Sequence, residues 1–208
     1  MTDSAQSRRL LAACSLLLSY PDQATFDRLP LLLDHFPELS TSANNSLRRF
    51  LVWLGSTEVL SAQEHYVEIF DRRRKACLYL TYFLNGDTRS RGMALVRFKE
   101  AYRLGGFTID TGELPDFLPA VLEFGAVGDL DAALEILGRH LAGLELLHHA
   151  LDEFKSPYAD LVLALLTVVP KGMEGPKAAE LAASGPPTEM VGLAPFIPLE
   201  SLRVGART

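Results

Sequence analysis

Glu145 and His148 stand three residues apart in ELLHH (Glu145 to His149). This is the Glu-x-x-His spacing with which helical bundles hold paired iron or manganese ions, and such a centre also needs a second copy of the motif and two further glutamates. The other histidines, at 35, 65, 140 and 149, have no glutamate three residues earlier. One copy supplies half a site. A metal-dependent oxidoreductase using Glu145 and His148 is therefore the enzyme alternative, and a helix-surface histidine cluster is the expected reading. Cys14 and Cys77 lie far apart with no local cue to a lowered thiol pKa, and no serine sits in a nucleophile-elbow pattern. GDTRSRG (Gly86 to Gly92) lacks the glycine-lysine-serine/threonine ending of a phosphate loop. Arg72-Arg73-Arg74-Lys75 follows Glu64 and Glu68 by one or two helical turns and reads as a solvated face. No catalytic residue and no metal ligand set is expected.

Composition narrows the classes further. With 208 residues, 48% of them hydrophobic and 22% charged, the chain is globular and large enough to fold without a metal or disulfide staple. A net charge of −6 argues against nucleic acid as a partner and suits a basic protein or peptide. Two unpaired cysteines point to a reducing compartment. SRRLLAACSLLL (Ser7 to Leu18) imitates an export signal. Its apolar run follows the would-be cleavage box instead of preceding it, and a turn at SYPD ends it. No run of about 20 apolar residues suggests a membrane span or stable membrane insertion.

The elements that must position any site are helical. Apolar periodicity predicts helices over 5–19, 22–36 with a kink or break at Pro30, and 40–54. Ser61 and Glu64 have capping-box spacing. A helix is expected from Asp71 to Gly86, another from an Asp87 cap to Gly105-Gly106, a long one from an Asp129 cap to about Phe154, and a last one opened by Pro157. No strand is expected. The fold class is all-α: a single helical domain over 1–170, followed by a Pro/Gly-rich tail over 171–208 that lacks the apolar content to offset its ordering entropy. Within that tail, Val191 to Leu202 is a small apolar patch.

ELPDFLPAVLEF (Glu113 to Phe124) carries two prolines four residues apart amid helical spacing. A helix starting near Leu114 to Asp116 tolerates both, since first-turn amides lack intrahelical partners. Asp116 then lies where the helix dipole favours a carboxylate.

Together with YVEIFDRRRKACLYLTYFLNGDTRSRGMALVRFKEAYRLGGF (Tyr66 to Phe107), this stretch resembles the NarJ family, the delta-subunit assembly chaperones of respiratory nitrate reductase. The likeness is dense over 61–128, looser over 8–60 and 129–170, and absent from the tail. The broader TorD-like chaperones often show Asp-His-Leu where this chain has Asp116-Phe117-Leu118, so Phe117 stands in place of the histidine. The resemblance implies a TorD/NarJ-like bundle and a cytoplasmic, non-catalytic chaperone that binds no cofactor stably. Its partner would be the apo catalytic subunit of nitrate reductase, held through a leader-like N-terminal segment while molybdenum cofactor is inserted and before the enzyme docks on its membrane anchor. A chaperone of another DMSO-reductase-family molybdoenzyme would share these features.

A leader-like target is basic and amphipathic, and binds as a helix in an apolar groove with acidic rims. The expected groove has Tyr66, Phe70, Tyr82 and Leu118 as wall, with Asp71, Asp116 and Glu123 supplying charge.

Overall fold

The computed structural model describes residues 4–35, 41–85, 89–109, 112–173 and 181. The Asp87 cap and the 182–208 portion of the tail, including its apolar patch, lie outside the described residues. The architecture is all-α, as the periodicity predicts: α1 Ser4–Leu18, α2 Gln23–Asp27, α3 Leu29–His35, α4 Thr41–Gly55, α5 Val59–Tyr66, α6 Leu80–Asn85, α7 Arg89–Leu104, α8 Leu118–Val127, α9 Leu130–Arg139, α10 Leu141–Glu153 and α11 Tyr158–Leu166. The sole β pairing among the described residues is an isolated antiparallel bridge between Tyr79 and Phe117.

The helix starts follow local chemistry. Asp22 caps α2 by accepting the Thr25 amide at 2.8 Å, and Asp129 caps α9 by accepting the Ala132 amide at 3.0 Å. The expected kink or break is a break, falling at Arg28 between α2 and α3 with Pro30 in the first turn of α3, and Pro157 is the N-cap of α11. The Ser61–Glu64 capping box does not form. Both residues lie inside α5, whose N-cap Glu58 makes no side-chain cap bond. The long helix after Asp129 is two helices, divided where His140 leaves helical geometry (φ −106°, ψ 13°).

The bundle is centred on α1, which packs against α8 and α11; α11 in turn packs on α4 and α10. Leu10, Leu11, Cys14, Leu17 and Leu18 of α1 are buried. Gly125 allows α8 to approach closely, since a Cβ there would meet the Ala133 Cβ at 2.7 Å and the Leu11 Cδ1 at 2.8 Å. Arg8 closes the same contact by donating to the carbonyls of Gly125, Ala126 and Gly128 at 3.0–3.2 Å, placing a cation on the negative end of the α8 dipole.

Two histidines are built into the packing. His65 stacks on Tyr158 with centroids 6.0 Å apart, and its Nε2 lies 2.9 Å from the Ser156 hydroxyl. His140 donates from Nδ1 to the Ile136 carbonyl at 2.8 Å and packs on Phe98. Burial pushes both pKa values below the ordinary 6.5, against weaker opposing effects from Glu68 at His65 and from the Ile136 bond and Asp116 at His140. As pH falls, the unfolded chain takes up these protons first. The stabilisation from neutral rings is complete above about pH 6.5 and is lost as pH drops from there through the folded values. Lowering pH from about 7.5 to 5.5 should therefore reduce the thermal midpoint, and the reduction should be smaller in His65→Gln/His140→Gln. Differential scanning fluorimetry across that range reads the difference.

Candidate functional site

Of the helix expected over 71–86 only the end forms, as α6 at Leu80–Asn85, and the irregular stretch before it makes the site. After α5 the chain widens into a π-turn over Val67–Asp71, in which the Arg72 amide donates to the Val67 carbonyl at 3.2 Å. Wide turns of this kind re-aim side chains and recur at functional sites. A short 3-10 turn follows at Arg74–Ala76. The chain then runs extended through Cys77 to Tyr79, where it meets the loop before α8. The Leu118 amide donates to the Leu78 carbonyl at 2.8 Å, and the Leu80 amide to the Asp116 carbonyl at 3.0 Å.

Beside this join lies a cleft of about 370 Å³. Ser19 and Tyr20 after α1 form one side, and Tyr66, Phe70 and Asp71 of the π-turn region another. Cys77, Leu78 and Tyr79 come from the extended segment, and Glu113 and Phe117 from the loop. The walls are aromatic pairs: Tyr20 with Tyr66 at 5.5 Å between centroids, Tyr66 with Phe70 at 4.7 Å, and Tyr79 with Phe117 at 5.4 Å. The Tyr66 hydroxyl donates to the Leu18 carbonyl at 3.1 Å, satisfying the buried end of the ring. The Tyr79 hydroxyl donates to Glu113 at 3.1 Å.

The two carboxylates of the cleft, Asp71 and Glu113, are solvent-exposed, and their charge is felt within it. The Tyr66 phenol is held well above its ordinary range, first by burial and then by Asp71, Tyr79 and Glu113. Tyr79 is pushed up to about 12 by burial and by Glu113. At neutral pH both rings are neutral, so they offer π faces and hydroxyls while the carboxylates carry the negative charge. Such a cleft favours an apolar group with a cation beside it.

The sequence-expected residues divide. Tyr66, Phe70 and Asp71 line the cleft. Tyr82 does not; its ring packs edge-on to Phe83 at 5.9 Å. Leu118 belongs to the core, with no exposed surface, because it begins α8 with its side chain inward. Glu123 is exposed on α8 and does not line the cleft.

Asp116 is a correction. It is no rim charge, being completely buried. Nor does it cap α8, which starts two residues later with Phe117 as N-cap and Pro119 in its first turn. Its Oδ2 accepts the Thr81 amide at 3.2 Å and the Thr81 hydroxyl at 2.5 Å, so it caps the start of α6 from across the fold. Arg91 closes the network, donating to the Thr81 hydroxyl at 3.2 Å with Nη2 3.9 Å from Asp116. The Arg91 guanidinium also lies 5.8 Å from the Tyr79 ring centroid. Asp116 thus stands behind the cleft and fixes the segment that presents Tyr79.

Tyr20, Tyr79, Glu113 and Phe117 escaped the sequence-level assignment. Glu113 opens the double-proline stretch and Phe117 replaces the histidine of the broader motif, so each had a local signal.

Among the described residues no three His, Cys, Asp or Glu side chains converge as metal ligands. Cys14 is fully buried, and burial pushes its thiol up to about 12. Arg72 and Arg73 pair with Glu68 at 3.4 and 2.7 Å, and Arg73 lies over the Phe154 ring. No helix among the described residues is long and apolar enough to cross a membrane.

Residues 34–164 match the family described as nitrate reductase delta subunit. The chain is 38% identical over 151 residues to the nitrate reductase-like protein NarX of Mycobacterium tuberculosis, covering 73% of this chain but 23% of that longer protein. It is 35% identical over 162 residues to a probable nitrate reductase molybdenum cofactor assembly chaperone, NarJ, of Bacillus subtilis, covering 76% of this chain and 86% of the relative. The Escherichia coli chaperone NarJ is 34% identical over 179 residues, covering 83% and 75%. The chain therefore belongs to the nitrate reductase delta subunit family.

Proposed function

We propose that this chain is a cytoplasmic assembly chaperone of respiratory nitrate reductase. It binds the apo catalytic subunit through the subunit's N-terminal segment and keeps it receptive while molybdenum cofactor is inserted, before membrane docking. The cofactor passes to the client, and this chain holds none stably. The names of the relatives support the chaperone role. The observation that carries the recognition mode is the aromatic cleft containing Asp71 and Glu113. At about 370 Å³ it has room for anchor side chains of an amphipathic helix, not for the helix itself. In this reading an apolar anchor lies against Tyr66, Phe70 and Phe117, and a neighbouring cation meets Asp71 and Glu113.

Calorimetry with a synthetic peptide of the catalytic subunit's N-terminal segment tests this. Asp71→Asn/Glu113→Gln should weaken binding about tenfold and flatten its salt dependence, since rim charges supply roughly 1 kcal/mol in total and most of the ionic-strength sensitivity. Glu123→Gln should change neither. Unaltered affinity in the double variant would remove the cleft from the mechanism. Copurification of a different molybdoenzyme in place of nitrate reductase would reassign the client.

A further inference from the structure

The face of α7 turned away from the core has a composition that the cleft does not use. Phe98 and Tyr102 point inward, packing on His140 and on Phe107 and Phe124. The opposite face presents Met93, Val96 and Leu104, which are 66%, 59% and 72% exposed. Interleaved with them are the exposed cations Arg97, Lys99 and Arg103. At 100° per residue these six side chains fall within one half of the helix circumference, Met93 and Leu104 nearly in line about 16 Å apart. Glu100, the helix's sole carboxylate, lies exposed on this same face and is paired with Arg103 at 2.7 Å, so Arg97 and Lys99 carry the face's net positive charge. In a chain of net charge −6, this is a local cationic and apolar surface.

We propose that this face of α7 is a docking surface for an anionic lipid bilayer. A protein-binding patch collects its apolar residues into a core from which charges are depleted. Here every apolar side chain has a cation beside it. A headgroup layer accommodates that mixture: the lipid phosphates meet Arg97, Lys99 and Arg103, while Met93, Val96 and Leu104 enter the acyl boundary to a shallow depth. Three short insertions give reversible, peripheral attachment, which needs no membrane-spanning helix.

Co-flotation of the full chain with unilamellar vesicles tests the inference. Vesicles of phosphatidylcholine containing about a third phosphatidylglycerol should carry the protein at low salt, and pure phosphatidylcholine should not. Arg97→Glu/Lys99→Glu and, separately, Met93→Ser/Leu104→Ser should each reduce partitioning at least tenfold. All four positions are exposed, so the fold should persist, and unchanged calorimetric binding of the client peptide would show that the cleft is intact. Equal flotation with neutral vesicles, no flotation with anionic ones, or undiminished flotation of both variants would overturn the proposal. Retention of the wild type on immobilised polyglutamate without vesicle binding would also overturn it, assigning the face to an acidic polypeptide.

Discussion

Asp116→Ala will lower the unfolding free energy by about 3–5 kcal/mol, the range for removing one partner from a buried charged network. The truncation removes the carboxylate that accepts the Thr81 amide and hydroxyl and that lies 3.9 Å from the Arg91 guanidinium, whose side chain is 19% exposed. It also frees the start of α6 from its cap. Asp116→Asn keeps an acceptor oxygen and the side chain's shape, so its loss should be about a third as large. Urea denaturation followed by far-UV dichroism measures both. If alanine costs no more than asparagine, the carboxylate is not the tie between the loop and α6. The two variants should also separate in binding. Alanine releases the segment that presents Tyr79 and Phe117, whereas asparagine holds it and should leave peptide affinity within about twofold.

Tyr158 carries the second large effect. It is fully buried at the start of α11, with ring centroids 4.8–6.0 Å from those of Phe50, Trp53, His65, Tyr66 and Phe70. Two of these neighbours, Tyr66 and Phe70, are cleft walls. Tyr158→Ala should cost about 3–5 kcal/mol through the cavity it leaves, and should weaken peptide binding as Tyr66 and Phe70 relax into that space. The phenol oxygen of Tyr158, by contrast, has no hydrogen-bond partner among the described residues. Tyr158→Phe should therefore be neutral or stabilising by up to about 1 kcal/mol, because it removes a desolvated donor and keeps the ring. A phenylalanine variant that loses as much as alanine would mean the hydroxyl is bonded and the cluster is organised by polarity instead of packing.

How much of this was legible in sequence follows from which interactions are local. The cap at Asp129 and the proline before α11 are signals within one turn, and they stand where the pattern places them. The run from Asp71 to Gly86 looks helical by residue type, yet Leu78 and Leu80 are tied to the loop around Asp116 through main-chain bonds. Those partners are more than thirty residues away, beyond the reach of periodicity. For the same reason Asp116 reads as a helix-start carboxylate when its neighbours alone are considered. Its actual role, capping α6 from another part of the chain, requires the tertiary fold. Tyr66, Phe70 and Asp71 line one cleft, and their grouping is visible in sequence because an aromatic cluster beside a carboxylate is a local feature. Glu113 was passed over in favour of Glu123, although both carboxylates bound the same stretch. Only the turn between them decides which faces the cleft.

The main-chain join between Tyr79 and Phe117 has an evolutionary corollary. Amide and carbonyl groups, common to nearly all residues, hold the two strands of chain in register, so the side chains at 79 and 117 are not needed to keep them there. Replacements at these positions alter what the surface reads without disturbing the frame that displays it. On the proposed mode of recognition, lineages sharing this scaffold diverge in client by changing a few half-buried rings, leaving the interior inherited intact.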